Sequence, residues 1–167
     1  QWKAQYEAPN NKKCPLNFWA LPLPTGWPKL RINQKYKMSQ KHNIVWFKRD
    51  LRITDHAPLL AASRQEEPVI PLYIVEPDHW LQPDASRRHW HFIHDCLFDL
   101  NIALQDLGQE LIIKIGRAAD IFVKLNSDYD IDTMYTHEET GNLWSYQRDI
   151  KVQNLCSDLS IDLQTTP

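Results

Sequence analysis

The sequence has 167 residues, 43% of them apolar and 24% charged, which places it among ordinary globular chains and sets aside disordered and fibrous classes. That length suits one domain with its own core. No apolar run is long enough for a membrane helix, and Cys14, Cys96 and Cys156 are too few and too scattered for a disulfide framework or a zinc knuckle.

The net charge of −2 conceals a division, because residues 1–37 hold seven Lys+Arg and one acidic residue, leaving 12 basic against 20 acidic residues downstream, a balance of −8. Residues 1–37 also carry five of the eleven prolines and show neither helical nor strand periodicity. Trp2, Trp19 and Trp27 among lysines and arginines are compatible with a basic aromatic nucleic-acid patch. The plainer expectation is an irregular arm upstream of a domain that begins near Met38.

From Met38 onward, β-rich runs at 44–47, 69–75, 111–115, 131–136 and, weakly, 161–163 alternate with helical stretches. That alternation implies parallel βαβ units. The first helix is expected to start at Asp55 as N-cap, with Pro58 in the first turn. In the second, Trp90, Ile93, Leu97, Leu100, Leu104 and Leu107 form an apolar stripe between a Ser86 N-cap and a left-handed Gly108. A third helix passes through Ala118, Ile121, Phe122 and Leu125, and a fourth covers 143–155. The predicted fold is α/β: a Rossmann-like, three-layer domain with a five-stranded parallel sheet and helices on both faces.

In such sheets ligands sit beyond the carboxyl ends of the strands. The first strand ends there in Lys48, Arg49, Asp50 and Arg52, which serve either a ligand or an internal ion-pair network such as Arg49 or Arg52 with Asp50. Only four glycines are present, Gly26, Gly108, Gly116 and Gly141, so neither a dinucleotide fingerprint nor a P-loop can be built. Gly116 follows the third strand as ordinary turn chemistry. Glu138 and Glu139 are adjacent and leave a strand in opposite directions, so only one can readily face a shared pocket. His89, His91 and His94 with Asp95 and Cys96 do not place enough ligands on one helix face for a metal site, so no metal is expected.

The run VWFKRDLR at 45–52, followed by TDHAPLLAA, resembles the N-terminal signature of the photolyase and cryptochrome family. VIPLYIVEPDHW resembles that family's second strand and its exit, and SRRHWHFIHDCLFDLNIALQDLGQELIIKIG its long helix, glycine and third strand. YTHEETGNLWSYQRDIKV resembles the fourth-strand exit and an Arg-Asp helix. The resemblance covers residues 43–163 and implies the family's N-terminal α/β antenna domain.

It further implies that the helical domain carrying FAD, and the surface that receives damaged DNA, lie outside this chain, which therefore holds no catalytic residue. The implied light-harvesting cofactor is methenyltetrahydrofolate, 8-hydroxy-5-deazaflavin or FMN. Carried over by strand-exit position, its candidate binding residues are Lys48, Arg49, Asp50, Glu76, Pro77, Gly116, Arg117, His137, Glu138, Glu139 and Trp144. Arg148 and Asp149 match the family's Arg-Asp and are assigned a packing or ion-pair role.

The implied parent is a light-driven enzyme splitting pyrimidine dimers or a blue-light photoreceptor without repair activity; a fragment that binds no cofactor is the third reading. The negative balance after Met38 works against DNA contact by this domain. No export signal, organelle signal or membrane segment is read, and a bacterial cytoplasmic location is the expectation. Limited proteolysis should trim the chain near Met38 without lowering its melting temperature; a large drop would make the arm integral to the domain.

Overall fold

The computed structural model describes residues 40–167; the basic arm, with Cys14, lies outside the described residues. Five strands, β1 (His42–Phe47), β2 (Val69–Val75), β3 (Ile112–Ile115), β4 (Ile131–His137) and β5 (Asp162–Thr166), form one sheet in the order β3-β2-β1-β4-β5. Every pairing is parallel. Four helices connect them: α1 (Ala57–Ser63), α2 (Arg87–Asp106), α3 (Ala118–Tyr129) and α4 (Leu143–Asp158).

All six residues of β1 are buried, as expected of a central parallel strand covered on both faces. Its side chains alternate between two cores. Ile44 and Trp46 join Phe122 and Leu125 of α3 and Val152 and Cys156 of α4. Val45 and Phe47 join Ala62 of α1 and Leu97, Leu100 and Leu104 of α2. Strand periodicity of two thus produces the three layers. β3 begins opposite Leu72, so Pro71 occupies a stretch of β2 with one neighbour, the setting in which a strand tolerates proline.

The fold matches the architecture expected from the sequence, with local corrections. Helix α1 is capped by His56, whose Nδ1 accepts the Leu59 N–H at 3.0 Å, whereas Asp55 stands before it at φ 51°. The imidazole supplies the acceptor that a carboxylate was expected to supply, and Pro58 occupies the first turn. Ser86 caps α2 through the His89 N–H, and Gly108 follows it at φ 76°. Leu107 leaves the apolar stripe and is 63% exposed, because it lies past the last helical turn. The fourth helix runs on to Asp158, and the fifth strand begins at Asp162, after the predicted Ile161, which packs into the core instead.

Helix α3 has no side-chain cap of its own; Glu76, at the exit of β2, accepts the Ala118 N–H at 3.1 Å. That bond ties a strand exit to the start of a helix across the sheet rim. Substituting Leu97 (1% exposed) by alanine is expected to cost about 2–5 kcal/mol in urea unfolding. Phe98→Ala, on the exposed face of the same helix, should cost less than about 1 kcal/mol, and equal costs would contradict this packing.

Candidate functional site

The order of the strands reverses between β1 and β4, and the exits of β1, β2 and β4 converge on one rim. A cavity of about 680 Å³ opens there, bounded by these exits, α2, α4 and the short helical turn His79–Leu81. Trp80, Phe92, Ile93 and Tyr73 give it apolar walls, while Lys48, Arg49, Glu76, Glu139 and Arg148 supply charge. Its size and mixed lining suit an aromatic small molecule held by a few polar anchors.

Arg148 organises the floor. Its Nη1 donates to Glu76 Oε2 at 2.7 Å, Nη2 to Glu139 Oε2 at 2.6 Å and Nε to Asp149 Oδ1 at 2.8 Å. The guanidinium also lies 4.8 Å from the ring centre of Trp46 and 5.8 Å from that of Trp144. Asp149 accepts Lys48 Nζ at 2.7 Å as well, and Arg49 donates to Glu139 at 3.1 Å, so three cations and three carboxylates form one half-buried network. Its members come from β1, β2, β4 and α4, which fixes the relative positions of three strand exits.

The acids respond differently to this setting. Burial raises the Glu76 carboxyl above its ordinary value, although Arg148 and the Ala118 N–H act against the shift. For Glu139, burial acts upward too, but Arg148 and Arg49 outweigh it and the carboxyl is lowered. Burial, with the fields of Arg49 and Arg148, lowers His79, whose ring lies between Trp80 and Trp144 at 5.1 and 5.4 Å. A neutral imidazole therefore faces the cavity at pH 7. The carboxylates beside Arg148 are committed to it, so the floor is built for holding rather than for proton transfer.

A second cluster lies behind Lys48 and Arg49. Asp50 Oδ1 accepts the Lys48 N–H at 3.1 Å, and Oδ2 meets His137 Nδ1 and lies 2.6 Å from His56 Nε2. Asp50, His56 and His137 present ligand-type atoms within 4.8 Å of one another. However, His56 Nδ1 already accepts a backbone N–H, so the ring proton sits on Nε2 facing Asp50. Metal ligation through Nε2 would require giving up the α1 cap. The cluster reads as a clamp between the exits of β1 and β4 and the start of α1. It replaces the sequence expectation of Asp50 pairing with Arg49 or Arg52: Arg49 donates to Glu139 at 3.1 Å, and Arg52 to the carbonyls of Thr54 and Asp55.

Of the residues predicted for binding, Lys48, Arg49, Glu76 and Glu139 line the cavity. Asp50 and His137 stand behind it in the clamp, and Pro77 forms the buried turn that accepts the Trp80 N–H. Gly116 (φ 149°) and Arg117, which pairs with Asp78 at 3.6 Å, lie at the start of α3. Trp144 stacks on His79 and Arg148 at the edge of the network. Glu138 is exposed and does not line the rim cavity; it and Glu139 both border a smaller cavity of about 360 Å³ against α4 and β5, so the two adjacent acids share that pocket, contrary to the sequence expectation that only one could readily face it. Sequence reasoning did not assign His79, Trp80, Arg88, Phe92 or Ser145 to the site, and gave Arg148 a packing or ion-pair role; it makes three ion pairs and also lines the cavity. His79 and Trp80 stood within the quoted strand-exit motif, but nothing in helical spacing marks the flank of α2 as cavity wall.

Gly141 has its own steric reason. Its N–H donates to Glu139 Oε1 at 2.8 Å, and a methyl group there would collide with Arg49 Nη2, Glu139 Oε1 and Ser145 Oγ.

The sequence profile of the DNA photolyase family matches residues 43–167, and the chain belongs to that family. It is 37% identical over 103 residues to cryptochrome DASH, chloroplastic/mitochondrial, of Solanum lycopersicum, covering 58% of this chain and 18% of that protein. The fold superposes on a bacterial class III photolyase from Agrobacterium tumefaciens with a TM-score of 0.65 at 26% identity, covering 80% of this chain and 27% of that one. It also matches an archaeal photolyase from Sulfolobus tokodaii with two FAD molecules, at a TM-score of 0.66 and 26% identity, covering 74% of this chain and 28% of that one. The chain thus spans under a third of the length of these relatives. Among the described residues, no helix is long and apolar enough to cross a membrane.

Two outcomes test the clamp and the rim. Burial acts to raise the Asp50 carboxyl, but hydrogen bonds from His56 and His137 overcome it and hold the group well below the usual carboxylate range. Its stabilisation is therefore complete above the ordinary carboxylate pKa of about 4 and is lost as pH falls toward the folded value. Asp50→Asn should lower the melting temperature at pH 7, with the gap to the parent chain narrowing below about pH 4; a gap independent of pH would contradict the clamp. Gly141→Ala should displace Arg49 from Glu139, detectable as a shift of the Arg49 side-chain NMR signals, and unchanged signals would refute the crowding.

Proposed function

We propose that this chain is the antenna domain of a photolyase or cryptochrome, holding one light-harvesting chromophore in the rim cavity. The observation that carries this reading is the cavity itself: aromatic and aliphatic walls, a neutral imidazole, and a floor whose carboxylates are committed to Arg148. An antenna does no bond chemistry and needs only to be held rigidly and shielded from water. When bound, the chromophore supplies absorption of light and transfer of that energy to the flavin of a neighbouring domain.

The residues fit such a group. Trp80, Phe92 and Ile93 would cover a planar ring, and Arg49 and Glu139 would bound its polar edge. Methenyltetrahydrofolate, 8-hydroxy-5-deazaflavin and FMN all combine a planar conjugated ring with a polar chain, as this lining demands. In the longer protein, FAD and damaged DNA would be bound by a helical domain, and this domain would dock against it. The reading of the whole as a light-driven repair enzyme rests on the photolyases among the relatives; the cryptochrome reading rests on the Solanum lycopersicum relative.

Adding each chromophore to the purified chain should raise its fluorescence anisotropy and quench emission from the cavity tryptophans, with methenyltetrahydrofolate, the deazaflavin or FMN saturating at one per chain. Free tumbling of all three at high protein concentration would refute the antenna reading.

A further inference from the structure

We propose that His56 is a proton-sensitive helix cap: its neutral imidazole closes the start of α1, and a second proton on the ring lets the first turn of that helix open. The device lies behind the rim cavity and works whether or not a chromophore occupies it.

Both ring nitrogens are in use. Nδ1 accepts the Leu59 N–H at 3.0 Å, and Nε2 lies 2.6 Å from Asp50 Oδ2. A neutral imidazole has one acceptor nitrogen and one N–H, so the cap places the lone pair on Nδ1 and the proton on Nε2. Ser, Thr and Asn, the usual caps, stay acceptors at any ordinary pH. Histidine does not: a second proton turns Nδ1 into a donor that faces the Leu59 N–H. The side chain is fully buried, so water cannot replace the lost acceptor unless the turn moves. Asp55, just before it, is no ready substitute. It is held left-handed at φ 51°, its carbonyl accepting Arg52 Nη2 at 3.1 Å, whereas an N-cap needs extended backbone.

The surroundings decide what protonation changes. Asp50, at the β1 exit, gains a charge-assisted contact, so that side of the ring holds. His137, at the β4 exit, meets the same Asp50 oxygen, with its ring 4.7 Å from that of His56. Phe47 of β1 covers the ring at 4.8 Å. Lys48 and Arg49, on the Asp50 turn, are directed to Asp149 and Glu139, and Glu138, next to His137, borders the cavity against α4. Helix α1 carries no charged side chain, and β5, also packed on it, ends in Thr165 and Thr166. Protonation therefore keeps the Asp50 contact and breaks the cap, and α1 opens at its start while the clamp stays closed.

Hydrogen exchange of the Leu59 amide in the 1–167 chain, followed by NMR and corrected for the intrinsic pH dependence of exchange, tests this. Its protection should fall roughly tenfold between about pH 8 and about pH 5.5. The fall should track the His56 ring nitrogen signals as they pass from the Nε2–H tautomer to the doubly protonated form. The Leu100 amide, on the buried face of α2, should keep its protection. His56→Asn retains a neutral cap acceptor and should hold Leu59 protected across the range. His137→Gln should leave the fall in place. Constant Leu59 protection in the parent chain, an equal fall in His56→Asn, or loss of the fall in His137→Gln would each overturn the proposal.

Discussion

The guanidinium of Arg148 is the interaction on which the rim depends. It reaches from α4 to the exits of β2 and β4 through Glu76 and Glu139, and to its own neighbour Asp149. A planar fork can satisfy several acceptors at fixed angles, which a lysine ammonium at the same place could not do. Without it the buried Glu76 would have no cation partner among the described residues and Glu139 only Arg49, a far larger penalty than losing an exposed ion pair. The sheet brings the strand ends into line, but Arg148 sets their polar residues to one geometry.

From that constraint the other features follow. Glu76 takes Arg148 with one oxygen and caps α3 with the other, so the network reaches the start of the neighbouring helix. Glu139 takes Arg148 with one oxygen and Arg49 with the other, which fixes a side chain at the cavity mouth. The Asp50 clamp holds the turn carrying Lys48 and Arg49 from behind. With Glu76 and Glu139 paired to Arg148 and His79 neutral, the cavity is suited to hold a conjugated molecule without reacting with it. The proposed antenna role therefore arises from what these groups are prevented from doing as much as from what they contact.

Much of this architecture was legible in the sequence. Apolar runs separated by an amphipathic helix between Ser86 and Gly108 dictate parallel strands and covered faces, and the rim follows from parallel order. The charged exit of β1 was legible as a site but not its pairings. Asp50 lies beside Arg49 in sequence yet chooses His56 and His137, because only the folded rim brings the α1 start and the β4 exit to it. Arg148 looked structural from its helix and is structural, but it also lines the cavity. Arg88 and Phe92 were not legible as wall, since they sit beside the apolar stripe of α2 and resemble any solvated helix surface.

The most direct test compares the unfolding free energy of Arg148→Met with that of Arg148→Met/Glu76→Gln/Glu139→Gln. If Arg148 is the organising group, the single substitution costs about 3–5 kcal/mol, and neutralising its two stranded partners recovers most of that loss. A single variant within about 0.5 kcal/mol of the parent chain, or a triple variant no more stable than the single, would contradict the account.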